Sequence, residues 1–594
     1  MNIANELNEI IKEYNSGKKD NAYIRFKKIF LENKENTKLR FNLAVMQTEL
    51  NLISEAKNNY KFLINNHSHL KSKINLYNIY LKEKQFEKSL KLINEILNED
   101  SSNNLYKIDK AFALYKLNRF AESISECKSI LINNNNAEAL NIWGLCCFST
   151  EHFKDANSLF LQALNLDKEN IVYLNSLGRL NHEIRESKLA EKYFLKALDL
   201  NSNAFQTLNN LAGFYLEEGK YTKAINYYKE SLLLDPKNNI ILNNLAKANF
   251  SLNNLDIAEK LVRDALSNEK NNDDFKKTLS LILLRKYDFK NAWKYFDGRL
   301  GLSNFSSINQ SFKTVKEKLL LKSEIKKNSN LLVIREQGVG DEILYASMYP
   351  DLLDKFDNLK IECDERLLKI YQNSFDKKYV NKFIKLGNIS NSLEKLKDID
   401  YTIYAGSLGK FFRNDLKSFP LKPYFKKIEN YKDEELEKLL KNNSKIKIGL
   451  SWKSFKNRYA KEKSLKLEDL NNFFKLDNCS FFNLQYGNVA EELGNFLKDN
   501  SIQITTLKNL DLFNNFVGLA NLLSNLDILV TVSNSTAHLA GALGIKTLLI
   551  KPANHASYHY WNYPDNNTPW YKSIRMIEKK NLNDFEFIKK IILN

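Results

Sequence analysis

The sequence has 594 residues, of which 43% are hydrophobic and 12% aromatic, and a net charge of +18. These values exclude a largely disordered chain, and the length predicts roughly three or four domains. We find no run of about 18 apolar residues and no apolar segment of a secretory signal near the first residue, which predicts a cytoplasmic protein without a transmembrane segment. Five cysteines without a C-x-x-C pair argue against a disulfide scaffold or a zinc ribbon and fit a reducing compartment.

The positive charge does not indicate nucleic-acid binding. Only 13 of the 89 basic residues are Arg. Side chains that form bidentate hydrogen bonds to phosphate or guanine are usually Arg. The Lys residues are spread along the chain and no short window collects them. The charge therefore supports a modest preference for anionic partners, and no nucleic-acid partner is predicted.

The first 300 residues repeat a helical pattern. A small residue recurs at intervals of 33 or 34 residues, a bulky residue usually follows it four positions later, and in the later units another small residue precedes it by twelve positions. The recurring small residues are Ala22, Ala56, Ser89, Ser123, Ala156, Ala190, Ala224, Ala258 and Ala292. Small side chains allow two helices to cross closely, and a bulky side chain one turn later fills the adjacent groove.

This pattern resembles the tetratricopeptide repeat, whose unit is a helix–turn–helix of 34 residues. The resemblance covers about residues 5–300 in about nine units, and a generic helical array is the alternative. We assign residues 1–300 to an all-α solenoid of such repeats. The resemblance implies a surface that binds another chain, such as a protein or peptide acceptor, and carries no chemistry of its own.

The second half of the chain has the pattern of an α/β protein. Residues 301–325 are predicted to be a linker with one helix, after which short apolar runs alternate with helical patterns. This alternation indicates parallel sheets with helices on both faces. Two such series predict two Rossmann-like halves, at 326–430 and 431–594. Ligands bind at the carboxyl ends of the strands in sheets of this kind, so the segments that follow the strands are the places to search.

The first such segment runs from Arg335 to Asp341 and contains Gly338 and Gly340. Two glycines allow a tight turn, and the helix that follows presents free backbone N–H groups. The G-x-G fragment lacks the third glycine and the downstream acid of a dinucleotide fingerprint. Asp341 either caps the helix or faces the cleft as a carboxylate, and the motif alone does not decide between these roles.

The second segment follows an apolar strand and begins with Ser451, Trp452 and Lys453. A basic loop then continues through Arg458 to Lys463. Small polar residues and cations at the end of a strand would suit a diphosphate. The alternative is a solvated Lys-rich loop.

The third segment is the most specific of the three. A buried strand ends in the polar run Ser533, Asn534, Ser535 and Thr536, and a helix of small residues starts at once. The free N–H groups and the dipole of that helix form an anion site. His538 falls in the first helical turn, where it either points to the ligand or has a structural role.

The three segments, in this order and after a repeat array, resemble bacterial repeat proteins with a glycosyltransferase-like carboxyl-terminal domain. The fold relatives are the ADP-heptose:lipopolysaccharide heptosyltransferases of glycosyltransferase family 9 and, more distantly, the O-GlcNAc transferases. The resemblance covers roughly residues 329–580 and includes two further motifs, Leu484–Gly487 and Pro569–Tyr571. It implies a GT-B enzyme, in which two Rossmann-like domains hold a nucleotide-sugar donor mainly through the second domain.

The resemblance also implies roles for individual residues. Asp341 matches the presumed catalytic base, and Lys463 or Lys453 is the nearest equivalent of a basic residue that meets the donor diphosphate. The polar turn and helix start match the segment that meets the donor phosphates and sugar. The residues assigned to donor binding are Gly338, Gly340, Ser451, Lys453, Lys463, Gln485, Ser533, Asn534, Ser535, Thr536 and His538. Relatives commonly carry Asp-Thr or Asp-Asn where this chain has Ser533-Asn534, which puts in doubt any role of that carboxylate in orienting the sugar or ribose.

The sequence-based hypothesis is an inverting glycosyltransferase that moves a sugar from a nucleotide-sugar donor to a protein or another macromolecular acceptor recruited by the repeats. We expect no cofactor and no metal, because the string Asp398-Ile399-Asp400 precedes a predicted strand and so faces away from a carboxyl-end cleft. One alternative is a non-catalytic repeat scaffold with a degenerate GT-B domain, which Ser533 favours. Another is a lipopolysaccharide heptosyltransferase, although that task needs no array of nine protein-binding units.

Overall fold

The computed structural model describes most of the chain and divides it into two compact units, residues 1–214 and 215–594. The residues described are 3–132, 135–302, 311–320, 328–428, 431, 433–441, 444–455, 460–500, 502–552, 558–561, 563 and 565–593. The division falls inside a helix of the repeat array. The compact units therefore differ from the boundary at residue 300 that the sequence pattern suggested, and the last repeats belong to the same unit as the sheets.

The array contains eighteen helices in succession between residues 3 and 296, within the described residues, and they form nine helix–turn–helix pairs. The helices are α1 Ile3–Asn15, α2 Lys19–Glu32, α3 Thr37–Glu49, α4 Ile53–His67, α5 Leu70–Lys82, α6 Phe86–Glu99, α7 Asn104–Lys116, α8 Phe120–Leu131, α9 Ala137–Ser149, α10 Phe153–Leu166, α11 Ile171–Glu183, α12 Ser187–Leu200, α13 Phe205–Glu217, α14 Tyr221–Leu234, α15 Asn239–Ser251, α16 Leu255–Asn268, α17 Asp273–Arg285 and α18 Phe289–Phe296. The predicted all-helical array of about nine units is confirmed.

The recurring small residues lie at the tightest helix contacts of both units. All nine of them, from Ala22 to Ala292, are completely buried in the second helix of their pair. Where the small residue is Ser, its hydroxyl donates to a carbonyl of the first helix, as from Ser123 Oγ to Ala111 O at 2.7 Å. In the first unit a Cβ added to Gly144 would lie 2.6 Å from the ring of Phe160, so this glycine makes room for the bulky residue of its own pair.

Each turn inside a pair contains one residue in the left-handed region of backbone space. These residues are Gly17, Asn51, Lys84, Asn118, Glu151, Arg185, Gly219, Asn253 and Tyr287. They recur at the same 33- or 34-residue intervals as the small residues. Two of the nine are glycine and three are asparagine, whereas Lys84, Glu151, Arg185 and Tyr287 adopt this geometry at a cost of roughly 1 kcal/mol each. The packing of the helix pair on either side outweighs this cost.

The first sheet of the second unit has four parallel strands in the order β3-β2-β1-β4. The strands are β1 Leu331–Ile334, β2 Leu359–Cys363, β3 Phe383–Lys385 and β4 Tyr401–Tyr404. All four residues of β1 are buried, as expected for a central strand covered by helices on both faces. The chain order reverses between β1 and β4, and this switch point opens a crevice at the carboxyl ends of the two strands.

The second sheet has seven strands in the order β10-β11-β9-β8-β5-β6-β7. The strands are β5 Ile446–Ser451, β6 Cys479–Asn483, β7 Ile504–Thr505, β8 Ile528–Thr531, β9 Thr547–Ile550, β10 Asn567–Thr568 and β11 Tyr571–Ile577. Its six parallel strands follow the doubly wound order 3-2-1-4-5-6, and β10 adds an antiparallel edge. The switch point of this sheet lies between β5 and β8, the strands that precede the second and third predicted segments.

Helices connect and cover the two sheets. They are α19 Phe312–Val315, α20 Val339–Ala346, α21 Tyr349–Leu353, α22 Glu365–Ser374, α23 Leu393–Leu396, α24 Gly409–Phe412, α25 Glu434–Leu440, α26 Ala460–Lys463, α27 Asn471–Phe474, α28 Ala490–Asn500, α29 Phe516–Leu523, α30 Ser535–Leu543 and α31 Phe585–Leu593. The described part of the predicted linker at 301–325 contains the α-helix α19 and is docked: Leu320 N–H donates to Thr402 O at 2.9 Å beside β4. Residues 303–310 and 321–325 of that linker lie outside the described residues.

The last repeat is joined to the first sheet through a buried ion pair. Arg299, just after α18, donates from Nη2 and Nε to Glu336 at 2.7 and 2.9 Å, and both side chains are buried. Glu336 follows β1 directly. The Trp293 indole N–H of α18 donates to the carbonyl of Arg413 at 2.6 Å. The end of the repeat array and the first sheet therefore share one core, which is why the compact unit begins inside the array.

A candidate ligand cleft at two strand switch points

The candidate site lies where α20, which follows β1, meets α30, which follows β8. A Cβ added to Gly340 at the start of α20 would lie 2.8 Å from Cδ2 of His538 in the first turn of α30. Glycine therefore permits the two helix starts to approach each other closely. The first and third predicted segments, about 200 residues apart in sequence, come together at one place.

A cavity of about 220 Å³ opens between these helix starts. Its lining includes Gly338, Val339, Gly340, Asp341, Arg366, Ser454, Lys463, Tyr486, Leu512, Phe513, Phe516, Ser533, Asn534, Ser535, His538, Tyr558 and Tyr560. Eight of the twelve residues that the sequence assigned to the site are among them. The lining combines a carboxylate, two cations, the polar start of a helix and a wall of aromatic rings.

Asp341 is a buried carboxylate with a partner on each oxygen. Its Oδ2 accepts the backbone N–H of Gly338 at 3.2 Å, so Asp341 caps its own helix from the third position, and Gly338 is the N-cap residue. Its Oδ1 accepts the hydroxyl of Tyr560 at 3.0 Å. The two roles that the sequence left open are thus compatible, because the residue caps α20 and also lines the cavity.

His538 lines the cavity from inside an aromatic cluster. Its ring centroid lies 4.9 Å from those of Tyr560 and Trp561, and its Nδ1 is 2.9 Å from the hydroxyl of Tyr571. Burial, together with the nearby charges of His559 and Lys463, lowers the pKa of His538 to about 3. The imidazole is therefore neutral at physiological pH and adds no positive charge to the cavity.

Two cations reach the cavity from different elements. Lys463, at the end of α26, is only 3% exposed, and its Nζ lies 4.0 Å above the ring of Tyr558. Arg366 in α22 donates from Nε and Nη2 to the two carboxylate oxygens of Asp364, at 2.8 and 2.9 Å. Its Nη1 donates to the carbonyl of Phe513 at 3.2 Å. Both cations are held in place by protein groups before any ligand enters.

Four assigned residues do not line the cavity. Ser451 and Gln485 are buried below it, where the Gln485 side chain accepts the backbone N–H of Lys453 at 2.6 Å. The ammonium group of Lys453 pairs with Glu492, so of the two lysines proposed for the diphosphate only Lys463 faces the cavity. Thr536 is buried behind the helix start, and its hydroxyl has no hydrogen-bond partner among the described residues.

Asn534 lines the cavity and also caps the helix that follows it. Its Oδ1 accepts the backbone N–H of Ala537 at 3.1 Å, which makes it the N-cap of α30. Its Nδ2 donates to Ser451 Oγ at 2.9 Å, and this bond ties the ends of β5 and β8 together at the switch point. Ser533 and Ser535 flank it on the cavity wall. Ser533, where relatives of the resembled family commonly have Asp, brings no carboxylate.

Two other sequence-based expectations concern Arg458 and the string Asp398–Asp400. Arg458 of the basic loop lies outside the described residues. Asp400 precedes β4 and accepts the backbone N–H of Asn330 at 2.8 Å, at the amino end of the sheet. The predicted position of Asp398–Asp400, away from the carboxyl-end cleft, is confirmed. Among the described residues no group of three or more His, Cys, Asp or Glu side chains is arranged to hold a metal ion.

The sequence reasoning missed Arg366 and most of the aromatic wall. Arg366 comes two residues after Asp364, which follows β2, so a search of every post-strand segment would have reached it. Tyr486 lies in the motif Leu484–Gly487, of which only Gln485 was assigned to donor binding. Tyr558 and Tyr560 lie in the aromatic-rich stretch between β9 and β10, where the density of rings was the available signal.

The protein combines an array of helical repeats with an α/β region of two sheets. A cleft lies at the switch points of these two sheets. Residues 215–282 match the family described as tetratricopeptide repeat, and the helical array is a tetratricopeptide-repeat array. In the part of the chain that the structure describes, no helix is long and apolar enough to span a bilayer.

The chain is similar to two curated proteins over parts of its length. It is 26% identical over 264 residues to Protein FlbA of Caulobacter vibrioides. The aligned residues cover 42% of this chain and 43% of that protein. It is 25% identical over 111 residues to RNA polymerase II-associated protein 3 of Xenopus tropicalis, covering 18% and 17% of the two chains. The chain thus spans less than half the length of these relatives.

Solved structures of repeat proteins are also similar to part of the chain. A tetratricopeptide repeat protein from Parabacteroides merdae is 15% identical, with a TM-score of 0.36, over 42% of this chain and 98% of that one. The Cut9–Hcn1 hetero-tetramer of the APC/C includes a chain that is 16% identical, with a TM-score of 0.34, over 46% and 55% of the two chains.

Proposed function

We propose that the repeats bind a protein partner and that the α/β region transfers a sugar from a nucleotide-sugar donor to that partner, as an inverting GT-B glycosyltransferase. The observation that carries the proposal is the meeting of Asp341 with the Ser533–Ser535 helix start and Lys463 around one cavity. A carboxylate facing an anion-binding helix start is the arrangement that such a transfer requires. Tetratricopeptide arrays present extended surfaces for binding other chains, which supports the partner role.

The residues around the cavity supply the parts of the reaction. The acceptor hydroxyl oxygen forms a bond to the anomeric carbon while the bond from that carbon to the diphosphate oxygen breaks. Asp341 takes the hydroxyl proton, and the nucleoside diphosphate leaves with the bonding electron pair. The N–H groups at the start of α30 and the ammonium group of Lys463 stabilise the charge of the leaving diphosphate. We place this activity in the cytoplasm, since all five cysteines are free.

A panel of nucleotide sugars tests the donor site. We expect at least one UDP-, ADP- or other nucleotide sugar to raise the melting temperature and to be hydrolysed slowly, because ligands that bind only the folded state stabilise it. The measurement is a thermal-shift screen followed by detection of released nucleotide. The matched control is Lys463→Met, which removes one of the two cavity cations and should reduce the shift. If no nucleotide sugar of the panel raises the melting temperature of the wild-type protein or is hydrolysed by it, the donor site is contradicted.

Transfer should not need a divalent cation. The charge of the leaving diphosphate can be neutralised by the helix start and by Lys463, so we expect turnover to be the same in EDTA as in buffer with Mg²⁺. The measurement is the rate of nucleotide release with EDTA, with Mg²⁺ and with Mn²⁺. Activity that EDTA abolishes and Mn²⁺ restores would contradict this prediction.

A second candidate function is that of a non-catalytic scaffold. The comparisons support this binding role, because the family match falls within the repeats. The cavity holds Ser533 where a carboxylate is common in the resembled enzymes, which also favours a degenerate site. A scaffold should bind its protein partner through the repeats and give no nucleotide release with any sugar of the panel. Lipopolysaccharide heptosyl transfer remains a third candidate, for which ADP-heptose in the panel is the test.

A further inference from the structure

Tyr560 connects the second sheet region to the carboxylate of the first. It lies in a short 3-10 turn, His559–Trp561, between β9 and β10, and it is 219 residues from Asp341 in sequence. Its hydroxyl donates to Asp341 Oδ1 at 3.0 Å, and both side chains line the cavity. Through this hydrogen bond a residue of the second sheet region contacts the Asp341 carboxylate directly.

The ring of Tyr560 is locked by its neighbours. It is 3% exposed, it stacks on Tyr558 with centroids 5.4 Å apart, and it packs edge-on against Trp561 and His538 at 5.2 and 4.9 Å. A side chain confined on several sides holds its hydroxyl in one position. The tyrosine is therefore built to keep the hydrogen bond to Asp341 when a ligand enters, because leaving would require the aromatic cluster to open.

A second donor to Asp341 comes from the N-cap residue of its own helix. Gly338 N–H holds Oδ2, and Tyr560 holds Oδ1, so the plane of the carboxylate is set by one group from each side of the cleft. Each carboxylate oxygen has more than one lone pair and can accept a further hydrogen bond. The Asp341 carboxylate also lines the cavity, so an acceptor hydroxyl that enters the cavity can approach it.

We propose that Tyr560 is a positioning residue that orients Asp341 toward the acceptor hydroxyl, so that the base is correctly placed only when the two sheet regions are in contact. This inference rests on the proposed function, in which Asp341 takes the acceptor proton. It adds to that function a residue of the second sheet region that holds the base in place.

Tyr560→Phe removes one hydrogen bond from the Asp341 carboxylate and keeps the aromatic ring. The other titratable or charged groups near this carboxylate are Tyr345 on its own helix, His538 and Tyr571 from the second sheet region, and Arg366 and Lys463 from the cavity wall. Tyr560→Phe changes none of these groups.

A double-mutant cycle in the full-length protein tests the contact without any substrate. We expect Tyr560→Phe and Asp341→Ala to be non-additive by roughly tenfold or more in the unfolding equilibrium constant, as for a buried hydrogen bond to a charged group. The measurement is urea unfolding followed by tryptophan fluorescence. Tyr563→Phe is the matched control, because it removes a buried hydroxyl from the same loop, and it should be additive with Asp341→Ala. Additive effects for Tyr560→Phe would overturn the proposal.

Turnover separates positioning from a structural role. With whichever nucleotide sugar of the panel is hydrolysed, we expect Tyr560→Phe to lower kcat by roughly tenfold and to leave the donor KM unchanged. Non-additivity in the double-mutant cycle together with an unchanged kcat would overturn the positioning role. If no nucleotide sugar is turned over, the proposed function fails, whereas the cycle still decides whether Tyr560 holds Asp341.

Discussion

Asp341→Asn is expected to lower sugar transfer by roughly 10²–10⁴-fold while leaving nucleotide affinity nearly unchanged, because an amide cannot take the proton of the acceptor hydroxyl. The substitution keeps the shape of the side chain. One oxygen can still accept the Gly338 N–H, and the amide can donate to the Tyr560 hydroxyl oxygen, so the loss of stability should be about 1 kcal/mol or less. The measurements are melting temperature, nucleotide affinity and turnover on the same preparations.

Two further variants make this result specific. Asp376→Asn changes a helix cap in the same sheet region, where the carboxylate accepts the Lys378 N–H at 3.0 Å, and should alter neither affinity nor turnover. His538→Ala should weaken nucleotide binding first, since its ring lines the cavity beside the helix start. It should also lower stability, because the ring is buried among aromatic side chains. Full turnover in Asp341→Asn would rule out this residue as the base.

Removal of residues 1–203 is expected to abolish transfer to the macromolecular acceptor while nucleotide binding stays within about twofold. The cut precedes α13 and keeps intact the helices of the second compact unit, residues 215–594. The removed repeats belong to the first unit, and the cavity is built entirely by the second. The measurements are nucleotide affinity, hydrolysis without acceptor, and transfer to a partner that the full-length protein captures.

A deeper truncation provides the contrast. Removing residues 1–260 also deletes Leu242, Ala246 and Ala258, which belong to the same buried cluster as Leu331 of the first sheet. We expect the truncated protein to lose both stability and nucleotide binding, because the truncation removes helices that pack in the same core as the first sheet. Equal loss of nucleotide binding and transfer in a folded 204–594 protein would contradict the division of labour between repeats and cleft.

The repeats could be predicted because their signal is local and periodic. A small residue every 33 or 34 positions marks each close helix crossing, and all nine of these residues are buried. The turns inside the pairs gave no comparable signal. Residues such as Lys84 and Tyr287 adopt left-handed backbone geometry that their side chains do not favour, because the helices on both sides enforce it.

The site could be predicted in part. The post-strand segments were found because parallel strands place their carboxyl ends at one edge of a sheet. The sequence pattern did not predict which side chain of a segment faces the cavity. Lys453 and Lys463 are an example. The first pairs with Glu492 and the second lines the cavity, although both lie in the same basic loop region. Loop paths depend on contacts with distant residues, which composition and spacing do not reveal.

The sequence by itself determined the repeat period, the α/β alternation of the second half and the polar ends of its central strands, because these depend on neighbours within one or two turns or strands. Only the tertiary structure decided that the last repeats share a core with the first sheet and that Arg366 and Tyr560 belong to the cleft. Tyr560 meets Asp341 across 219 residues of chain. Such a contact follows from how the two sheet regions pack, and packing is a property of the whole folded core and of no single segment.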